Sequence, residues 1–418
     1  MTITATKPIT NTEPALADLE ITATGTEWLR RLAAVGVAVS SRPPVPVLGF
    51  VLLECSRGKA TITGYDYSTS AVVKMNHETV GALRNAKALV PLSWLARTIR
   101  VLTTRKRDVP VTVASKEMLG RMLVTVTAAG FTIPLLHGMP ITEYPALPEH
   151  AELDTFTLDR EDLAAALDRA SIAASKDDTL PILTSIELDC SGKSLTLQAT
   201  DRYRLSSETL KLPRTVQEFN FLLPATAWKA MAKHLAGDKI TVGVLVSGDV
   251  AGRSGGSSTI YLATEDCTYT LSGVGGDYPK IKSLFEQHYS QTLDVNRRDL
   301  MDQVLVAREL NERNLPALVK IGPGSVTVSP TFDEGADQAT TPVLLADTTN
   351  IDEQVTVAYN PHYLLDALTV IKAEVVRFSF FSLPKPVCIS PVNEKGKKQG
   401  TYRHLIMPVR MPSTLGGE

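Results

Sequence analysis

The chain repeats itself three times, and no other feature constrains its fold as strongly. A Pro-x-Leu step ahead of a β-branched run occurs as "VPVLGFVLLE" at Pro46, "LPILTSIELD" at Pro181 and "LPALVKIGPG" at Pro316, the second prolines falling midway between the first and the third. The helix-like stretches "GTEWLRRLAAVG", "DREDLAAALDRA" and "NRRDLMDQVLVA" align on Leu29, Leu163 and Leu300 at nearly the same interval. A second set, "LVPLSWLARTIRVL", "LLPATAWKAMAKHL" and "AYNPHYLLDALTVI", aligns on Pro91, Pro224 and Asn360. "TEYPALP" and "GDYPKIK" set Tyr144 and Tyr278 the same distance apart. Four landmarks share one period, close to a third of the chain, and so mean three domains of one fold. The expected boundaries are a disordered extension over 1–19, then domains over 20–150, 151–287 and 288–418.

Each unit is expected to run helix, strands, helix, strands. "VLGFVLLECSRGKATITGYDYSTSAVVKM" alternates β-branched and polar residues around a glycine turn, as a hairpin does, and "ILTSIELDCSGKSLTLQATDRYRLSSETLKL" repeats that design. Two helices and about eight strands per unit give an α+β fold, with the helices packed on one face of the sheet to bury their apolar stripes. Three such units suggest a curved, pseudo-symmetric array. Two segments fall outside the pattern: 248–260, a Gly/Ser-rich hairpin loop, and 330–353, an acidic loop-like stretch. The tail "PSTLGGE" is expected to be disordered.

Charge and chemistry narrow the function. A formal net charge of −2 argues against a wholly basic nucleic-acid binder, but not against a local basic surface. The four cysteines, Cys55, Cys190, Cys267 and Cys388, form no CxxC pair, which suits a reducing compartment. With no secretory h-region and no long apolar run, a cytoplasmic protein away from membranes is expected. There is no GxxxxGK[ST] loop, GxSxG elbow or HExxH helix, and the seven histidines lack ligand spacing. Neither a cofactor nor a metal is expected. The enzymatic alternative is a metal-dependent phosphodiesterase built on Asp177, Asp178 and Asp201. Against it, Asp177 and Asp178 sit where a charged turn is normal, and a carboxylate ending a strand, as Asp201 does, commonly accepts backbone N–H bonds.

Cations recur on the helices of all three units. The first helices carry Arg30, Arg31, Arg169, Arg297, Arg298 and Arg308, with Lys176 just beyond the second. The second helices carry Arg97, Arg100, Lys229, Lys233 and Lys372. If these helices share one side of the array, they line a positive surface suited to phosphates and indifferent to base sequence.

The motifs "SRPPVPVLGFVLLE" (41–54), "TEYPALP" (142–148), "ASKDDTLPILTSIEL" (174–188), "ATDRYRLS" (199–206), "YNPHYLLDAL" (359–368) and "YRHLIMPVRM" (402–411), taken in order, resemble the β subunit of bacterial DNA polymerase III, the sliding clamp, in its actinobacterial form. The likeness runs from about Glu20 to Met411. It implies a processivity factor that catalyses nothing. In that family, two chains of three domains close head to tail around duplex DNA, helices lining the hole and sheets forming the wall. The implied partners are double-stranded DNA, a second copy, the polymerase catalytic subunit, the clamp loader and other clients carrying a clamp-binding peptide. A peptide inhibitor at the same pocket is a further candidate.

The resemblance also implies a peptide pocket between the second and third domains. By motif position it comprises Leu183, Thr200, Tyr203, Arg204, Leu205, Lys280, Ile281, Asn360, Tyr363, Pro384, Pro386, Leu405, Met407, Pro408, Val409 and Arg410. Its apolar members would form a floor for hydrophobic anchors, and Arg204 and Arg410 would pair with the peptide's polar groups. Arg42 and Lys176 match loops that face DNA; Arg30, Arg100, Arg169, Lys229, Lys233 and Arg298 match as a class. Arg202 departs from the family pattern, standing where glycine is common, and Gly276 stands where a proline is common. Both changes also suit a duplicated clamp insensitive to a pocket-binding inhibitor.

Overall fold

The computed structural model describes residues 19–56, 58–76, 79–80, 86–118, 121–137, 139–148, 153–246, 258–311, 315–332, 340–382 and 385–410. The first repeat runs β1 (Leu19–Thr24), α1 (Gly25–Val35), β2 (Phe50–Ser56), β3 (Lys59–Tyr65), β4 (Thr69–Lys74), β5 (Thr79–Val80), β6 (Ala86–Pro91), α2 (Leu92–Leu102), β7 (Pro110–Met118), β8 (Arg121–Ala128) and β9 (Phe131–His137). The second runs β10 (Thr155–Asp159), α3 (Arg160–Ser171), β11 (Ser185–Ser191), β12 (Ser194–Thr200), β13 (Arg204–Lys211), β14 (Phe219–Pro224), α4 (Ala225–Ala232), β15 (Lys239–Val246), β16 (Ser258–Ala263) and β17 (Cys267–Ser272). The third runs β18 (Gln291–Asn296), α5 (Arg297–Leu310), β19 (Ala317–Gly322), β20 (Ser325–Ser329), β21 (Leu344–Thr349), β22 (Val355–Tyr359), α6 (Pro361–Val370), β23 (Val375–Phe380), β24 (Val387–Val392) and β25 (Arg403–Ile406).

Apart from the short β5, every repeat is one unit used twice: strand, helix, three strands. The opening strand of each half joins the sheet of the other half. Thus β1 pairs with β7, β10 with β15 and β18 with β23, while β6 pairs with β2, β14 with β11 and β22 with β19. The helices pack as pairs, α1 on α2, α3 on α4 and α5 on α6. Pro91, Pro224 and Asn360, spaced like domain landmarks, are the N-cap residues of α2, α4 and α6. Thr24 and Asn296 cap α1 and α5, their side chains accepting first-turn N–H groups left unpaired by the helix. Helix α3 buries Leu163, Ala166, Leu167 and Ala170, the spacing of a single apolar stripe.

The chain gathers into two compact bodies. The first holds the first repeat together with 234–237 and 262–271; the second holds the remainder. In the first body, residues Cys267–Leu271 of β17 run antiparallel along β4. Its core centres on Trp28, fully buried, whose Nε1 donates to the Val111 carbonyl at 3.1 Å. In the second body, twelve strands form one sheet in the order β14-β11-β12-β13-β25-β24-β23-β18-β21-β20-β19-β22. The second and third repeats meet in it through β13 and β25, paired from Arg204↔Ile406 to Ser207↔Arg403. The third repeat's core joins α5 and α6 to that sheet through Leu300, Val304, Leu364, Leu368 and Phe378.

Two segments expected to be loops contain strands. Residues 344–349 form β21 and 258–263 form β16; 247–257 and 333–339 lie outside the described residues. In both cases a strand's alternation was short and overshadowed by the Gly, Ser and Asp around it. Leu19, placed in the extension, is a fully buried member of β1; 1–18 and 411–418 lie outside the described residues.

Candidate functional site

The stretch "DRYR" makes a turn before it makes anything else. Asp201 Oδ1 accepts the N–H groups of Tyr203 and Arg204, each at 3.0 Å, and the Asp201 N–H donates to the Arg204 carbonyl at 3.3 Å. The same turn stands at the equivalent place in the first repeat: Asp66 Oδ1 accepts from the Ser68 and Thr69 N–H groups at 3.0 and 2.7 Å, and the Asp66 N–H donates to the Thr69 carbonyl. Short acidic side chains favour such local bonds. The residue after each aspartate has positive φ, 72° at Tyr67 and 80° at Arg202. The turn therefore demands a left-handed conformation that glycine adopts most readily, and Arg202 holds it under strain.

Arg204 closes the turn and ties the second repeat to the third. Its side chain is 4% exposed. Nε donates to Asp201 Oδ2 at 2.9 Å, Nη1 donates to Asp366 Oδ2 at 2.6 Å, and the guanidinium lies 4.4 Å from the centroid of the Tyr363 ring. The guanidinium expected to meet a peptide's polar groups is here engaged by α6 and by its own turn. Nearby on β25, His404 is fully buried, with Nδ1 2.9 Å from the Tyr402 hydroxyl. Burial, together with the Arg204 charge, pushes its imidazole down to about 3.

Beside this tie lies an apolar surface. Leu205, Ile281 and Leu405 are buried in one cluster with Leu222, Tyr278, Phe285 and Cys388, and Ile182 and Met407 pack against it half-buried. The connector from the second repeat is fixed onto the sheet twice. The Thr200 N–H donates to the Tyr278 hydroxyl at 2.9 Å, and the Arg403 guanidinium lies 5.0 Å from the Phe285 ring centroid while donating to the Phe285 carbonyl. The chain end crosses as a strap, the Met407 N–H donating to the Tyr203 carbonyl (2.9 Å) and the Val409 N–H to the Ala358 carbonyl (2.8 Å). On segments that also feed the cluster, large apolar side chains remain open to solvent: Tyr203 at 63%, Val409 at 43% and Leu180 at 38%.

The second body thus brings together Thr200, Tyr203, Arg204, Leu205, Ile281, Tyr363, Leu405, Met407 and Val409. Pro386 and Pro408 are half-buried, Lys280 and Arg410 exposed. Leu183 is buried outside the cluster, its N–H donating to the Leu180 carbonyl. Asn360 serves its helix, its side chain accepting the His362 N–H. Pro384 lies outside the described residues. Ile182, Phe285 and Asp366 were missed. Gly276 has φ +125°, which proline cannot adopt, and a Cβ there would stand 2.7 Å from Ile182 Cδ1. Ile182 fills the space that a side chain at 276 would occupy.

The helical cations divide into two groups. Arg169 is paired with Glu208 through two bonds of 2.7 Å, Arg31 is buried between Glu27 and Asp266, and Arg297 donates to the Ala373 and Leu368 carbonyls. Arg169 therefore leaves the set of available cations, and Arg30, though half-exposed, shares Glu27. Arg42, Arg100, Lys176, Lys229, Lys233 and Arg298 are exposed and make no ion pair among the described residues. The three carboxylates of the phosphodiesterase alternative do not converge. Asp201 is committed to its turn and Arg204, and Asp177 Oδ1 accepts from the Thr179 N–H and hydroxyl. Among the described residues, no three His, Cys, Asp or Glu side chains stand close enough to hold a metal ion, and no helix is long and apolar enough to cross a membrane.

Comparison with known proteins gives a consistent result. Models of the DNA polymerase III beta subunit match in order: the N-terminal domain over 19–148, the central domain over 157–280 and the C-terminal domain over 282–410. The chain is 30% identical to the beta sliding clamp of Streptomyces coelicolor, over 90% of this chain and 94% of that one. It is 29% identical to the beta sliding clamp homolog GriR of Streptomyces muensis, over 94% and 97%. Among solved structures, the DNA polymerase sliding clamp from Bacillus subtilis superposes with a TM-score of 0.77 at 21% identity, over 95% of this chain and all of that one. The griselimycin-bound sliding clamp from Pseudomonas aeruginosa gives 0.78 at 20%, over 94% and 100%.

Proposed function

The chain belongs to the DNA polymerase III beta subunit family, the beta sliding clamps, and from that premise we propose how this member closes around DNA and holds its clients. It is a non-catalytic processivity factor. We assign it a head-to-tail homodimeric ring around duplex DNA, made of the domains bounded near 20–150, 151–287 and 288–418 and loaded by a partner ATPase.

One observation carries the ring. The fourth strand of the first repeat, β4, takes β17, the last strand of the second, along its edge; β13 of the second takes β25 of the third in the same antiparallel sense. Continuing that rule, β21 of the third repeat requires the last strand of a first repeat, β9, from a second copy. Among the described residues, β9 is an edge strand with β8 on one side; β21 lies between β18 and β20, but its first residues, Leu344 and Leu345, pair with β20 and leave their other side open. Both also carry the apolar side chains an interface needs. Phe131 is 60% exposed on β9, and Val343 and Leu345 are 65% and 87% exposed at β21; Leu305, Val306 and Leu310 are exposed on α5 of the same repeat. A soluble chain seldom leaves such edges bare, and a head-to-tail contact that closes makes a ring. Phe131→Asp is expected to move the protein from dimer to monomer in analytical ultracentrifugation at micromolar concentration; an unchanged dimer would remove β9 from the interface.

Within the ring, the exposed Arg42, Arg100, Lys176, Lys229, Lys233 and Arg298 meet phosphates without reading sequence, so the logarithm of the affinity falls linearly with the logarithm of salt concentration. The apolar surface on the second body receives client peptides, their apolar anchors seated around Leu205, Ile281, Leu405 and Met407. The deciding experiment loads the protein onto nicked circular DNA with a clamp loader and then linearises the circle. Retention before the cut and escape after it is the expected result; equal retention on both would sink topological linkage.

A further inference from the structure

We propose that Arg202 is a specificity-determining residue of this apolar surface, selecting peptides that carry a carboxylate beside their apolar anchors. This rests on the peptide-docking reading above. The backbone at this position is left-handed whatever the side chain, since the equivalent turn puts Tyr67 at φ 72° and Arg202 at 80°. An arginine here keeps a strained conformation that glycine would relax. Its backbone is engaged, the N–H donating to Thr200 Oγ1 at 3.0 Å, but its exposed guanidinium makes no hydrogen bond or close ion pair among the described residues.

The neighbouring carboxylates are committed elsewhere. Asp201 and Asp366 both serve Arg204. Asp177 is held low by its hydrogen bonds from Thr179, with only a smaller pull from Arg202. Lys280 and Arg410, flanking Ile281 and Val409, add exposed positive charge; Asp178 and Asp277 are the exposed carboxylates on the flanking segments. What remains is an unspent guanidinium, one residue from the open Tyr203 ring, at the rim of an apolar surface. A planar fork of donors there matches a carboxylate and discriminates against its amide.

The test uses two labelled nonapeptides, each with a leucine and a phenylalanine as anchors, one with an aspartate beside them and the other with asparagine. Fluorescence anisotropy against the full chain is expected to show tighter binding of the aspartate peptide by about five-fold, the scale of an exposed ion pair. Arg202→Gly should abolish that preference without lowering the melting temperature, and Arg202→Glu should reverse it. Equal affinities for the two peptides in the parent protein overturn the proposal while leaving the apolar surface's role intact. So does a preference that survives Arg202→Gly, or a variant that loses both peptides equally as its melting temperature falls. If the parent binds neither peptide, the docking reading itself fails.

Discussion

Replacing Arg204 with alanine is expected to cost about 3 kcal/mol of folding stability, the lower end of the range for removing one partner of a buried ion pair. Three attachments go at once: the bond to Asp201, the bond to Asp366 and the stacking over Tyr363. Two carboxylates lose their partner in a region that water reaches poorly, since Asp201 is 11% exposed. The more exposed Asp366, at 38%, recovers part of its hydration, which holds the loss near the lower end. Urea denaturation followed by intrinsic fluorescence measures it. Arg204→Lys should recover little, because an ammonium cannot bridge two carboxylates with a planar fork. A loss under about 1 kcal/mol, the scale of an exposed pair, would mean that the tie between the second and third repeats does not depend on this residue.

Acid should act through His404. The imidazole is neutral in the fold, with a value of about 3, but returns to its ordinary value near 6.5 on unfolding. The unfolded chain therefore binds the extra proton, and stability is lost as pH falls from about 6.5 towards 3. Between pH 7 and pH 5 the loss is about 2 kcal/mol from this group alone. His404→Gln keeps a polar partner for the Tyr402 hydroxyl and cannot titrate. Its denaturation midpoint should fall less steeply over that interval than the parent's; parallel curves would remove His404 as the cause.

What the residues disclosed before the structure was largely architectural. Landmarks recurring once per third of the chain marked N-caps, hairpins and connectors, because each repeat needs the same cap and the same tight turn at the same point. Gly58, Gly192 and Gly324, all with positive φ in β-hairpin turns, keep that period too. The site was legible as a set of neighbours and much less so as a set of roles. Nothing in the sequence says that Arg204 turns inward to Asp366, far along the chain in the next repeat, or that Arg169 is taken by Glu208. Those pairings depend on which face of β13 meets a helix, and a single step of register would reverse them. Ile182 escaped notice because its role exists only opposite a glycine at φ +125°.

The reciprocal pairing inside each repeat has a consequence for what the smallest viable piece can be. Because β10 completes the sheet of the half that follows and β14 completes the sheet of the half before, a lone half would be missing one strand and would carry another with nowhere to go. It could satisfy both needs only by clasping a twin. A fragment cut to a single half is therefore an unfinished handshake.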